Sequence, residues 1–411
     1  MSGSIFKSAR VISFLTLMSR MLGLVRDMAC SYAFGVGAVW SAFTVAFQVP
    51  NLFRRLFGEG ALSAASIPVL TEAVTKEGKD AADRLAGRLV GLLVLVLAGL
   101  CLIAEGIVAG LYWHYQYQSD TALTLTLTAI LLPYMVLICT TAILGGIQNV
   151  WGRFASPAAM PIILNVFIIG AALGGRWLFG DRMDDPALRQ AIVLLAAAVI
   201  VAGIVQVVWQ WVAVRRCGLR LHLQVVTSDP RIRRIAWTMV PMLVGLGVVQ
   251  INTLFDALIA WWFVKEQLVP GGELKRVGPA VLYYAQRLYQ FPLGVFALAL
   301  ATAIFPALSR HAAEGDREGL SETLTDGLRV TTFIALPCLL GLILVREPLV
   351  RVLFGRGEFS AWNESVDRVA FALCMYAAGI LAYAANHLLI RSFYARGDAR
   401  TPAKVAAVNV V

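Results

Sequence analysis

The chain has 411 residues, 59% hydrophobic and only 15% charged, with a mean hydropathy of +0.74 and a formal net charge of +10. A soluble domain is about 45–50% apolar and about 25% charged; a water-soluble globular fold is therefore excluded, and the recurring runs of about 20 apolar residues predict an all-α polytopic membrane protein. The positive balance would suggest nucleic acid in a soluble chain, but here it is assigned to cytoplasmic loops and a cavity.

Residues 2–10 form a short polar lead, and no small-residue cleavage site separates them from the first apolar helix, so no cleavable signal peptide is expected. Spans are predicted over 11–34 and 40–53, followed by a polar segment at 71–88 patterned like an amphipathic surface helix. Further spans follow at 89–112, 122–148, 158–179 and 191–214. A basic connection carrying Arg215, Arg216, Arg220, Arg231, Arg233 and Arg234 leads to spans at 235–264, 277–308, 330–345 and 369–390, ten in all. An eleventh begins after Pro402 and reaches only Val411. Its apolar residues are too few for a hydrocarbon core of about 30 Å, so the fold is expected to be truncated at its C-terminal part.

Lysine and arginine fall on alternate connections. One set holds Arg54, Arg55, Lys76, Lys79, Arg84 and Arg88, then Arg153, then the six arginines between 215 and 234, then Arg310, Arg317 and Arg329, then Arg396, Arg400 and Lys404. The opposite set is poorer, and 113–121 has no Lys or Arg at all. This bias puts the N-terminus in the cytoplasm. The six cysteines lie singly without metal-ligand spacing and read as small membrane hydrophobes.

An internal echo is visible. The run from Ile67, IPVLTEAVTKEGKDAADRLAGRLV, resembles that from Phe305, FPALSRHAAEGDREGLSETLTDGLRV, with Pro68 and Pro306 setting an offset of 238 residues. A repeat of six helices keeps both halves in one orientation and predicts two six-helix lobes related as parallel repeats, 1–220 and 221–411, around a central cavity. The first two helices of each half are the least apolar and are expected to line it.

Charge at membrane depth singles out the candidates, because each such residue costs roughly 2.5–3.5 kcal/mol at a helix centre. Arg20, Arg26 and Asp27 lie inside the first apolar run. The two arginines are about 240° apart on a helix, so both can border only a wide cavity. Asp27 adjoins Arg26 but is expected to point elsewhere and to orient another arginine. Arg54 and Arg55 end the second helix, with Glu59 in GEG expected to hold one of them. Arg287 sits about ten residues into its span and is expected to be buried without an acidic partner in sequence; a tie to backbone carbonyls is the competing reading. Arginines converging on a cavity suit a phosphate-bearing anion, since the guanidinium stays charged and its fork matches phosphate oxygens. Asp256 is a lone carboxylate read either as a coupling-cation or proton site with Asn252 or as a silent pair with another helix. Glu105 is a further acid without an evident partner, and Ser19 with Gly23 has small-xxx-small packing spacing. No nucleophile–base set, Walker loop or metal motif is present, which favours a transporter over an enzyme.

The run SRMLGLVRDMACSYAFGVGAVWSAFTVAFQVPNLFRRLFGEGALSAASIPVL resembles the N-terminal signature of the MurJ (MviN) family, the lipid II flippases of bacterial cell-wall synthesis. The likeness continues at LLPYMVLICTTAILGGIQNVWGRFASPAAMPIILN, YYAQRLYQFPLGVFALALATAIFPALSR, LVRVLFGRGEFS and FYARGDARTP. It implies the MOP (multidrug/oligosaccharidyl-lipid/polysaccharide exporter) fold in the bacterial inner membrane. The partner it implies is lipid II, an undecaprenyl-diphosphate-linked muropeptide, handled by a monomer among membrane lipids without nucleic acid. No cofactor is implied beyond coupling to membrane potential, sodium or protons. By motif, Arg20, Arg26 and Asp27 match cavity residues of the family, Arg54 and Glu59 its RR…EG motif, Arg287 its eighth-helix arginine, and Asp256 a second-lobe acid linked to sodium in some members. Ser41 and Gln286 stand where the family usually has acids.

Competing readings are an exporter of another polyprenyl-diphosphate-linked oligosaccharide and a cation-coupled drug exporter of the same fold. The latter should carry acids, not arginines, in its first-lobe cavity. A membrane transferase or phosphatase would need a catalytic constellation that the sequence does not display.

Overall fold

In hydrocarbon every backbone N–H and C=O must find a partner within the protein, and an apolar chain without alternating polarity meets that demand by helix. The computed structural model describes residues 2–58, 61–180, 185–226, 228–263, 267–268, 274–275, 277–362, 364–398, 401–402 and 404–405. They form two compact units, residues 1–263 and 264–411.

The first unit contains α1 (Ser2–Phe34), α2 (Ala38–Phe53), a π-helical turn at Arg54–Gly58, α3 (Ala61–Glu77), α4 (Lys79–Tyr115), α5 (Ser119–Val150), α6 (Ala155–Phe179), α7 (Asp185–Arg216) and α8 (Pro230–Phe263). The second contains a minimal antiparallel pair, β1 (Gln267–Leu268) and β2 (Leu274–Lys275). After it come α9 (Gly278–Pro292), a second π-helical turn at Leu293–Ala297, α10 (Leu298–Glu314), α11 (Arg317–Phe354), α12 (Ser365–Ala378) and α13 (Ile380–Ala395). Among the described residues five helices, α4, α5, α6, α7 and α11, are long and apolar enough to cross a membrane, and α12 with α13, bent by 42°, makes a sixth if the pair is one broken span. The other expected spans correspond to α1, α2, α8 and the broken α9–α10, which are the short or charged ones.

Several elements differ from expectation at glycine or proline. The surface helix expected over 71–88 is split: Gly78 has φ +86, so α3 stops and α4 starts one residue later. The span expected over 277–308 breaks after Pro292, which has no N–H for the ladder, and a π-helical turn takes up the misfit. The span expected over 369–390 bends at Gly379. The polar lead is helical and belongs to α1. The eleventh helix lies largely outside the described residues. Helices α4 and α11 begin at Lys79 and Arg317, 238 residues apart.

Helix α5 is the axis of the first unit, packing against α2, α4 and α7. Its Leu132 and Met135 join Cys101 of α4 in a core that Val49, Phe53 and Val108 cover. Helix α6 packs on α1 and α7. Helix α8 packs on α2 and α3, so it belongs to the first compact unit, whereas the repeat would place the division at 220/221.

The connection between α7 and α8 is a strap laid along α4. The backbone of His222 lies against Gly87, and that of Gln224 against Gly91, where added Cβ atoms would collide with it. Leu219 and Leu221 are buried beneath it. The Arg220 N–H donates to Asp83 Oδ2 at 2.9 Å, and Arg88 Nη1 donates to Asp229 Oδ2 at 2.9 Å. Arg231 then pairs with Asp229 and, at 2.7 Å, with Glu77. Arginine beside Asp229 holds its carboxyl well below the usual range, at about 2.

In the second unit α11 packs against α10, α12 and α13, and α9 against α12. Tyr284, Phe354 and Phe359 cluster with centroids 4.8–6.1 Å apart.

Candidate functional site

Helix α1 carries its charges because neighbouring protein satisfies them. Arg26 keeps only 15% side-chain exposure and Asp27 4%. Asp27, expected to point elsewhere, pairs with its neighbour: its Oδ1 accepts from Arg26 Nε at 3.0 Å and from Nη2 at 2.8 Å. The 100° step separates Cβ directions, but an arginine side chain is long enough to fold back over its neighbour's carboxylate. Arg26 Nη1 also donates to Asn165 Oδ1 of α6 at 3.1 Å, and Asn165 Nδ2 donates to the Ser19 carbonyl at 3.1 Å. Gly23 lies beside this amide, with space for a Cβ at 3.9 Å, so the small residues of α1 let α6 come close. The result is a guanidinium held in one orientation by a buried carboxylate and a buried amide.

Arg54 opens the first π-helical turn, and its Nε donates to Asn51 Oδ1 at 2.9 Å. Arg55 Nη1 donates to Gln250 Oε1 of α8 at 3.0 Å. Glu59, expected to hold one of them, lies outside the described residues. Arg20 is exposed on α1.

Asp256 is exposed on α8 and makes no hydrogen bond or ion pair among the described residues; the Asn252 side chain lies outside them. Among the described residues no three His, Cys, Asp or Glu side chains cluster as a metal site. Glu105 is half-buried on α4.

Arg287, in the second unit, is exposed on α9 and not buried as expected, because its guanidinium lies outside over the Tyr283 ring, 4.7 Å from the centroid. Neighbouring Gln286 turns inward and donates from Nε2 to the Tyr376 hydroxyl at 2.9 Å. Tyr376 stacks on Tyr289 at 4.9 Å. An amide thus replaces the acid usual in the resembling family and finds a neutral partner. Ser41, at the other departure, is fully buried in α2.

Two residues were not anticipated. Asn165 was legible as a lone amide in the apolar run PIILNV. Arg176, near the end of α6, is 8% exposed; it donates to the Tyr32 carbonyl at 3.1 Å and lies 4.4 Å over the Tyr32 ring. It ties α6 to α1 a second time.

The model of the family described as lipid II flippase MurJ matches residues 30–411. A Vibrio cholerae protein described as a probable lipid II flippase MurJ is 34% identical over 100% of this chain and 76% of its own length. A Burkholderia cenocepacia protein described as lipid II flippase MurJ is 32% identical over 98% and 76%. Among solved structures, a lipid II flippase MurJ in an inward closed conformation aligns with a TM-score of 0.73 at 23% identity, covering 97% of this chain and 78% of that one. An inward-facing multidrug resistance MATE family transporter of the MOP superfamily aligns at 0.75 with 14% identity, covering 97% and 88%. These structural likenesses show the fold, which is of the MOP type. The chain is a multi-pass membrane protein, and it belongs to the lipid II flippase MurJ family.

Proposed function

We propose that this chain carries lipid II from the cytoplasmic to the outer leaflet of the bacterial inner membrane by alternating access. It is a transporter and performs no catalysis. The observation that carries the reading is Arg26, fixed by Asp27 and Asn165 where α1 packs on α6. An oriented guanidinium suits a diphosphate, whose oxygens accept paired N–H donors. Arg20 and Arg54 add positive charge in the first unit, and Arg287 does so in the second.

In this proposal the N-terminus is cytoplasmic, the lobes comprise 1–220 and 221–411, and the protein acts as a monomer. Glu59 supports the second-helix arginines. Asp256 takes a coupling cation, sodium or a proton, and the membrane potential helps expel the anionic headgroup. The test is growth of a bacterium depleted of its own lipid II flippase and supplied with the gene for this protein. Growth with normal cell shape supports the reading. Failure to grow, with the protein present in the membrane, counts against lipid II and favours another polyprenyl-diphosphate-linked oligosaccharide.

A further inference from the structure

Where α5 ends and α6 begins, the first unit holds a cavity of about 430 Å³ that none of the candidate site residues lines. Its size is that of a small-molecule pocket. Its lining includes Gln148 from the end of α5, Arg153 from the turn, Ser156 from the first turn of α6, and Arg216 from the end of α7. Val11 of α1 and Ala213 of α7 supply apolar wall.

The polar side of the cavity is built for negative charge. Helix α6 has 25 residues, no acidic residue in its first turn and no side-chain cap, so its positive end is left to whatever occupies the cavity. Gly152, at φ +70, turns the chain so that Arg153 and the start of α6 face the same space. Neither the Arg153 nor the Arg216 side chain makes a hydrogen bond or ion pair among the described residues, and no lining residue is acidic. Beneath them lies a buried amide layer. Gln148 is 1% exposed and donates to Gln210, which is fully buried and also accepts from Ser156 Oγ at 3.3 Å. Gln210 Nε2 itself has no partner among the described residues.

We propose that this cavity binds the phosphate of an anionic membrane lipid, distinct from any transported substrate. Two guanidinium groups and a helix N-terminus recognise the phosphate. The apolar wall then takes the adjoining glycerol and upper acyl chain. A free inorganic anion would have no use for that wall. The cavity also lies at the ends of apolar helices, between Val150 of α5 and Ala155 of α6, and basic pockets between membrane helices are a recognised form of headgroup site. In the proposed orientation this is the cytoplasmic leaflet.

The test uses the purified full chain in a neutral detergent, with thermal unfolding followed as ligand is added. The probes are dioctanoyl phosphatidic acid, dioctanoyl phosphatidylcholine and inorganic phosphate. The expected result is a saturable rise in Tm with phosphatidic acid and little with the other two. The apparent Kd should weaken at least tenfold in Arg153→Gln/Arg216→Gln. It should weaken similarly in Ala213→Phe, which fills the cavity and keeps both arginines. Arg233→Gln, a basic residue that does not line the cavity, should bind like the parent. Undiminished binding in the double variant overturns the site. Equal loss in Arg233→Gln reduces it to general surface charge and overturns it as well. An equal response to inorganic phosphate overturns the lipid, and an equal response to phosphatidylcholine overturns the requirement for net charge.

Discussion

Asn165 accepts a hydrogen bond from Arg26 at 3.1 Å and returns one to the backbone of the same helix, at Ser19, also at 3.1 Å. One amide therefore sets both the rotation of α6 against α1 and the direction of the guanidinium. A hydrogen bond to a charged group contributes about 1.5–3 kcal/mol, and about 1.4 kcal/mol is a factor of ten. Asn165→Leu keeps the side-chain size but removes both bonds. Transport should fall at least about tenfold with the protein still present in the membrane, whereas Asn165→Asp, which keeps the acceptor, should lose less. Transport in depleted cells and membrane abundance measure the two effects. Parent-like transport in Asn165→Leu would show that Arg26 needs no orientation from α6.

The arginines separate geometry from charge. If Arg26 and Arg287 recognise phosphate as forks, Lys preserves the charge but not the paired donors. Arg26→Ala, Arg287→Ala and both Lys variants should reach the membrane at parental levels and fail to support growth of depleted cells. Robust growth of a Lys variant would reduce that arginine to a source of potential. Low membrane abundance would make it structural.

The strap offers a test away from transport. Gly87 has no room for a side chain because the His222 backbone occupies that space. Gly87→Leu should lift residues 219–226 from α4 and free the backbone at Arg220, which is exposed but held through its N–H by Asp83. Trypsin applied to the purified protein should then cut after Arg220 much faster than in the parent, and Gly99→Leu, where nothing lies within 4 Å, should leave the rate unchanged. Equal cutting of parent and Gly87→Leu would mean that the strap is not held there.

Asp229 gives the strap a pH dependence. Its folded pKa is about 2, below an unfolded value of about 3.9. The ionised form is thus favoured in the folded protein, and its stabilising contribution is complete above about pH 5. It is lost as pH falls through about 4 towards 2. Asp229→Asn should lower Tm at pH 7, and the gap to the parent should close progressively below pH 4. A gap that stays constant from pH 7 to pH 3 would assign the effect to packing.

Driving force is the fifth test. A diphosphate carries about two negative charges, and each gains about 2.3 kcal/mol per 100 mV on moving outward across the full field. Collapsing the membrane potential in cells that depend on this protein should stall export. Unchanged export would mean that the headgroup crosses neutralised.

The sequence by itself determined that the chain is helical, that it lives in a membrane, roughly where its long helices run and which family it resembles. These follow from local quantities: apolar length, the positions of glycine and proline, and a motif block contiguous in the chain. It also singled out Arg20, Arg26 and Asp27 as candidates, because charge in an apolar run is itself a local anomaly. What it missed depended on distance. The partner that orients Arg26 from α6 is 139 residues away, and the glycine groove for the strap is matched to backbone more than 130 residues later. Even Asp27, adjacent in sequence, was misjudged, because helical geometry fixes where a Cβ points and not where a flexible arginine head comes to rest. The exposure of Arg287 over Tyr283 and the turn of Gln286 towards Tyr376 have the same origin. Neighbouring residues on a helix face different surroundings, and only packing decides which of them is taken inside.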